Sequence, residues 1–247
     1  MINNKHPRAV SLKIRDKAVW GIEHGITSIY GLIAQGRGEA FDYLIGERTQ
    51  GFAKEAISAS AAGLLLAKYP VLSINGNSAA LSAKEYITLA KLLNCPIEVN
   101  LFHRTNEREK AIRDYLKKLG ARQIVGVGKD ASEEIEGIAS KRKFVSPDGI
   151  KKADVVFVSL EDGDRTENLI KAGKKVITID LNPLSRTAQK ANITIVDNIV
   201  RAMPEVIKKI NEYKNTDKES LKKIIENYDN KIILQKAINQ IRSLKPI

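Results

Sequence analysis

The residues that first suggest chemistry are Gly36-Arg37-Gly38-Glu39-Ala40-Phe41-Asp42-Tyr43-Leu44-Ile45-Gly46-Glu47. Arg37 stands between two glycines, whose freedom would let the backbone turn tightly and leave room for a ligand. Its guanidinium is a planar fork of donors that suits phosphate or carboxylate. Phe41, Tyr43, Leu44 and Ile45 would tie the stretch to a core, while Glu39, Asp42 and Glu47 could orient Arg37, hold a cation or cap a helix. The competing reading is a helix-ending turn with Arg37 in solvent.

A second set of polar residues follows short apolar runs. Asn75 and Asn77 follow residues 71–74, and His103, Arg104 and Thr105 follow 97–102. Glu161 and Asp162 follow 154–160, Asp197 and Asn198 follow 193–196, and Asp180, Leu181 and Asn182 close the run 175–181. In an open parallel sheet, ligands bind at the carboxyl ends of strands near the point where strand order reverses, so these positions are site candidates. Asp180-Leu181-Asn182-Pro183-Leu184-Ser185-Arg186-Thr187 is the richest of them. Its aspartate could accept ribose hydroxyls, Asn182 could pair with a base edge, and Arg186 and Thr187 could hold phosphate. An Asn-Pro turn with a helix cap at Ser185 explains the same residues.

The elements that must position these residues alternate along the chain. Helices are expected over the opening segment around Val10 to Trp20, over 26–34, and over 52–69, where small residues would allow close burial in the fold or a subunit interface. Strands at 71–74, 97–102, 123–127, 154–160, 175–181 and 193–196 are separated by helices at 83–93, after a capping box of Asn106 and Glu109, and near 132–139. Beyond Pro204 the spacing is helical, with a polar break at Asn215-Thr216-Asp217. This predicts an α/β protein with a mainly parallel, Rossmann-like sheet, helices on both faces, a helical N-terminal segment and a helical C-terminal tail. Residues 1–247 are expected to form a single domain, with the helices from about 204 packed on it.

Composition narrows the classes. The 247 residues are 43% hydrophobic and 28% charged, as in globular rather than disordered proteins. No apolar run approaches the roughly 20 residues that cross a bilayer, and the first residues lack the apolar centre of a signal peptide. A lone cysteine, Cys95, leaves no disulfide framework and reads as core. A cytoplasmic location is expected. The net charge of +12 raises nucleic acid as a partner, but lysines scatter among glutamates and aromatics are only 5%, so binding to neither nucleic acid nor membrane is expected.

Several familiar sites are missing. There is no Gly-x-x-x-x-Gly-Lys-Ser/Thr and no Gly-x-Ser-x-Gly, and the three histidines lack metal-ligand spacing. Gly126-Val127-Gly128-Lys129-Asp130-Ala131 imitates a dinucleotide fingerprint, but its acidic partner stands some 30 residues on, at Glu161, instead of about 20. A nicotinamide-dependent oxidoreductase therefore remains an alternative, as does a basic nucleic-acid-binding protein. What is left is a set of arginines, carboxylates and asparagines without an evident nucleophile, suited to positioning anions and neutralising developing charge.

Five segments resemble archaeal phosphopantothenate synthetase, also called 4-phosphopantoate–β-alanine ligase. They are His6-Pro7-Arg8 with the run from Gly31 to Glu47, Ser73-Ile74-Asn75-Gly76-Asn77, the run from Asn100 to Arg108, and the run from Asp180 to Thr187, in matching order from about residue 5 to Pro204. The resemblance implies ATP-dependent condensation of 4-phosphopantoate with β-alanine to 4'-phosphopantothenate on the route to coenzyme A. AMP and diphosphate would be released through an acyl-adenylate, by a homodimer with Mg²⁺; the metal ligands stay unknown. It further implies ATP contacts at Arg15, Arg37, Asp180, Leu181, Asn182, Arg186, Thr187, Asn198 and Ile199. Asn75, Asn77, His103 and Arg104 are assigned to the phosphopantoate and β-alanine side, and Arg37 with Arg104, Asn75 and His103 forms the expected catalytic set.

Overall fold

The computed structural model describes His6 and residues 8–244, so Pro7 of the first motif lies outside it. Three helices open the chain: α1 (Ala9–Glu23), α2 (Ile29–Ile45) and α3 (Gly51–Leu66). Then follow β1 (Pro70–Ile74), α4 (Gly76–Leu93), β2 (Ile97–Val99), α5 (Asn106–Lys118), β3 (Ile124–Val125), β4 (Glu133–Glu134) and β5 (Phe144–Val145). The second half holds β6 (Val155–Ser159), α6 (Gly163–Lys171), β7 (Lys175–Ile179), α7 (Arg186–Lys190) and β8 (Ile193–Ile195), and ends in α8 (Ile199–Tyr213), α9 (Lys218–Glu226) and α10 (Asn230–Arg242).

Six strands form one parallel sheet in the order β3-β2-β1-β6-β7-β8. Leu72 of β1 stands opposite Ile97 of β2 on one side and Phe157 of β6 on the other. The first half winds outward from β1, and the second half winds outward the other way from β6. The order reverses between β1 and β6, which is where this topology leaves a crevice at the carboxyl end of the sheet. The α/β, Rossmann-like architecture expected from the alternation is the one observed.

Apolar strands fit a sheet covered on both faces. All five residues of β6 are buried, and one core cluster runs from Ile14 to Ala237, taking in the C-terminal helices. α3 sits between the sheet and α8, α9 and α10, with Ala53, Ala56, Ala59, Ala61 and Ala62 all buried. Its small side chains let a helix pass close on several sides, so its burial is within the fold itself.

Some boundaries differ from expectation. The glycine–arginine stretch is no turn: α2 continues through Gly36, Arg37 and Gly38 and ends at Gly46, whose φ of +96° is a left-handed cap. Two interior glycines cost a helix about 1 kcal/mol each, and packing outweighs this because Gln35, Glu39, Asp42 and Ile45 bury one face at helical spacing. No helix forms near 132–139; β4 there pairs antiparallel with β5, and Gly137 has a φ of +79°, outside the helical region. α4 starts at Gly76 instead of 83, because Asn75 caps it, and Ser82 kinks it with φ −145°. Thr105, not Asn106, caps α5, and Glu109 is spent elsewhere. Pro204 lies inside α8, the polar break ending at Asp217 separates α8 from α9, and a further break at 227–229 separates α9 from α10.

The buried Ala61, with no exposed surface, gives a direct test of the close packing around α3. Ala61→Leu should cost about 1–3 kcal/mol by overpacking, read from urea unfolding; unchanged stability would show that the small residues are not required.

Candidate functional site

A cleft of about 250 Å³ opens at the carboxyl ends of β1, β2, β6, β7 and β8, with α2 along one side. Arg37 and Gly38 of α2 face Asn75 and Asn77, His103, Arg108, Arg142, Asp162, Leu181, Asn198 and Ile199. The N-terminal ends of three helices, α4, α6 and α8, meet there, and each presents the positive end of its dipole.

Asn75 builds the crevice. Its Oδ1 accepts from Ser78 N at 3.0 Å and caps α4, while its Nδ2 donates to the carbonyls of Ser159 (2.9 Å) and Leu160 (3.1 Å) beyond β6. One buried amide therefore joins the two strands that flank the reversal. Gly76 follows because a Cβ there would run into Ile26 O and come within 2.7 Å of Arg108 Nη2. Asn77 Nδ2 donates to Gly31 O at 2.8 Å and ties α4 to α2.

The far end of α2 is tied to α8. Asn198 Oδ1 accepts from Val200 N at the start of α8, and its Nδ2 donates to Asp42 at 2.7 Å. Arg201 bonds both Asp42 and Asp197, and Thr49 donates to Asp197 at 2.6 Å. Burial pushes the Asp197 carboxyl up, against the pull of Thr49 and Arg201.

Of the residues expected at a site, Arg37, Asn75, Asn77, His103, Leu181, Asn198 and Ile199 line the cleft. His103 stacks on Tyr30 with ring centres 4.4 Å apart. The others are held outside its lining. Arg15 pairs with Glu39 through bonds of 2.8 and 2.7 Å, which lowers the Glu39 carboxyl and raises Arg15. Arg104 is spent on Glu109 and on the carbonyls of Phe144 (3.0 Å) and Gly126 (2.8 Å). Asp180 accepts from Asn182 N and the Ser185 hydroxyl, and burial raises its carboxyl. Asn182 Oδ1 accepts from Leu184 N, Arg186 pairs with Glu167 at 2.6 Å, and the Thr187 hydroxyl donates to Glu161 O at 2.7 Å.

Sequence reasoning gave no role to Arg108 and Arg142. Arg108 donates to His103 O (2.5 Å) and Ile26 O (2.8 Å) from the first turns of α5. Arg142 lies in Lys141-Arg142-Lys143, which reads as a surface run, yet it is buried and pairs with Glu161. Only its neighbours' exposure would have distinguished it. The Gly126–Gly128 loop follows the edge strand β3, and its amides are taken by Asp130 and Glu109, which leaves no dinucleotide cradle.

Among the described residues no cluster of His, Cys, Asp or Glu is arranged to cage a metal. Asp162 is the one carboxylate on the cleft wall, and among the described residues no helix is long and apolar enough to cross a membrane. Cys95 is buried, and burial pushes its thiol up to about 12.

A model of the phosphopantothenate/pantothenate synthetase family matches residues 52–244. A 4-phosphopantoate–beta-alanine ligase of Methanosarcina mazei is 53% identical over 241 residues, covering 98% of this chain and 94% of its own. The protein of that name from Thermococcus kodakarensis is 52% identical, with 98% and 92% covered. One from Methanospirillum hungatei is 48% identical over 206 residues, 83% of each chain.

The carboxyl of Glu98, in the middle of β2, gives a pH test. It is fully buried, accepts from Ile150 N at 2.6 Å, and sits where a Cβ on Gly149 would collide with it. Burial raises it from 4.5 to about 7, despite the pull of Ile150 N and Arg165. The neutral form's contribution to stability is complete below pH 4.5 and is lost as pH rises through about 7. Against Glu98→Gln, the wild type should therefore lose up to roughly 3 kcal/mol between those limits in urea unfolding. A pH-independent difference would contradict this.

Proposed function

The chain belongs to the phosphopantothenate/pantothenate synthetase family, and from that premise we propose that it is an ATP-dependent ligase joining 4-phosphopantoate to β-alanine. The product is 4'-phosphopantothenate, a step of coenzyme A synthesis, with AMP and diphosphate released. The observation that carries the reading is the convergence of Arg37, Arg108, Arg142 and three helix N-termini on a cleft whose wall offers no evident nucleophile. The wall contains no cysteine, threonine or lysine, and its one serine, Ser28, caps α2. Such a site favours transfer between bound substrates over a covalent enzyme intermediate.

The substrate carboxylate attacks the α-phosphorus of ATP and diphosphate leaves, giving an acyl-adenylate. The amine of β-alanine then attacks the acyl carbon and AMP leaves. Arg37 neutralises charge that develops on the phosphates. The nucleotide lies toward β7 and β8, against Leu181, Asn198 and Ile199, with Asp180, Asn182, Arg186, Thr187 and Arg15 in the surrounding motifs. Asn75, Asn77 and His103 face the acid and amine substrates; Arg104 braces the loops behind them. Mg²⁺ is usually held by one or two carboxylates plus substrate phosphates, which suits a cleft with Asp162 alone; the ion would offset phosphate charge.

Incubation with ATP, phosphopantoate and β-alanine together should release AMP at the full rate, and omission of β-alanine should abolish sustained turnover. Absence of AMP from folded protein would sink the reading. Arg37→Ala should lower kcat/KM about 10- to 100-fold, the equivalent of one charged hydrogen bond.

We also propose a homodimer formed through α1 and α2. Val10, Ile29, Tyr30 and Ile33 are more than half exposed there, a cost that subunit packing removes. Sedimentation should give twice the 27.3 kDa chain mass at micromolar concentration; a monomer would exclude it.

A further inference from the structure

We propose that Arg142 reads the phosphate of the acid substrate, and that it is aimed by a buried ion-pair chain through Glu161 and Arg165. This rests on the ligase reading above. Arg142 is only 5% exposed, yet it lines the cleft, and neither its Nε nor its Nη1 has a hydrogen-bond partner; Nε forms an ion pair with Asp162 Oδ2 at 3.4 Å. Behind it, Glu161 forms an ion pair with Arg142 and accepts a hydrogen bond from Arg165. Arg165, 1% exposed, also donates to Ser73 Oγ of β1 at 3.3 Å. Glu161 and Asp162 thus hold the guanidinium by charge alone, and its buried Nε and Nη1 keep hydrogen-bonding capacity at the cleft wall.

Charge supplies the second argument. Arg108 lines the same cleft, and its Nε is likewise buried without a partner. Arg142 is pushed down to about 10, by burial first and with repulsion from Arg165 and Arg108 adding to it. Three guanidinium groups thus crowd one region, against Glu161, Asp162 and a Glu98 whose burial favours its neutral form. A dianion between Arg108 and Arg142 relieves that repulsion, and a phosphomonoester matches the planar forks of arginine. Both residues are tied to the segment that follows β2: Arg108 donates to His103 O, and the Arg142 carbonyl accepts from Asn100 at 3.1 Å. The contact is therefore assigned to the acid substrate and not to the triphosphate.

The test measures KM for each of the three substrates by AMP release in Arg142→Lys, Arg142→Gln and Glu161→Gln, after melting curves confirm the fold. Arg142→Gln should raise KM for phosphopantoate about 10- to 100-fold, with the KM values for ATP and β-alanine within twofold. Arg142→Lys should recover part of the loss, and Glu161→Gln should show a smaller rise on the same substrate. Inorganic phosphate should compete with phosphopantoate in the wild type and lose that effect in Arg142→Gln. A rise confined to ATP, an equal rise for all three substrates, or no change would overturn the assignment. If the substitutions abolish folding, the proposal fails as well unless phosphate raises the melting temperature of the wild type. A wild type that releases no AMP would instead strike the ligase reading itself.

Discussion

The cleft depends on the side chain of Asn75. Two strands that diverge at a reversal of strand order leave backbone carbonyls facing an opening, and buried carbonyls need donors. Asn75 supplies them to Ser159 and Leu160 and, with its oxygen, caps the helix that departs from β1. A single amide thus spans the seam, and the polar ends of the two half-sheets are held at a fixed separation. An aspartate would keep the cap and lose both donations. The positions of Asn77, Asp162 and the start of α4 follow from that clamp.

Electrostatics then sets what the opening can receive. Carboxylates near the cleft are mostly engaged already: Glu39 by Arg15, Asp42 and Asp197 by Arg201, Glu161 by two arginines. Three helix N-termini add positive potential without any side chain. The net charge of +12 across the whole chain is a poor guide to this, because Arg142 is buried and Arg108 half-buried at the cleft while most lysines of α8 to α10 are exposed on the outer surface.

The sequence carried the layer plan and the place of the site more clearly than the roles of individual residues. Runs such as Val155 to Val158 could only be buried strands, and their polar successors marked the carboxyl edge where the cleft lies. The motif around Arg37 put the residue at the cleft but misjudged its backbone, because local glycine propensity was outweighed by the buried face of α2. Around Asp180 the polar residues turned out to satisfy one another, an outcome set by three-dimensional pairing that spacing does not reveal. Arg142 was hidden for the converse reason. Flanked by two lysines, it has the local signature of solvent, and only the return of Glu161 from a distant strand makes it part of the interior.

The helix bearing Arg37 is joined to α4 through Gly31 and Asn77, and to α8 through Asp42 and Asn198. Mechanically it is a beam supported at both ends, not a flap on one hinge. Freeing either end would sacrifice hydrogen bonds, and the Asp42 end includes charged ones worth about 1.5–3 kcal/mol each. Substrates must then reach the cleft from its open flank while the beam stays in place, and Arg37 meets them from a fixed height.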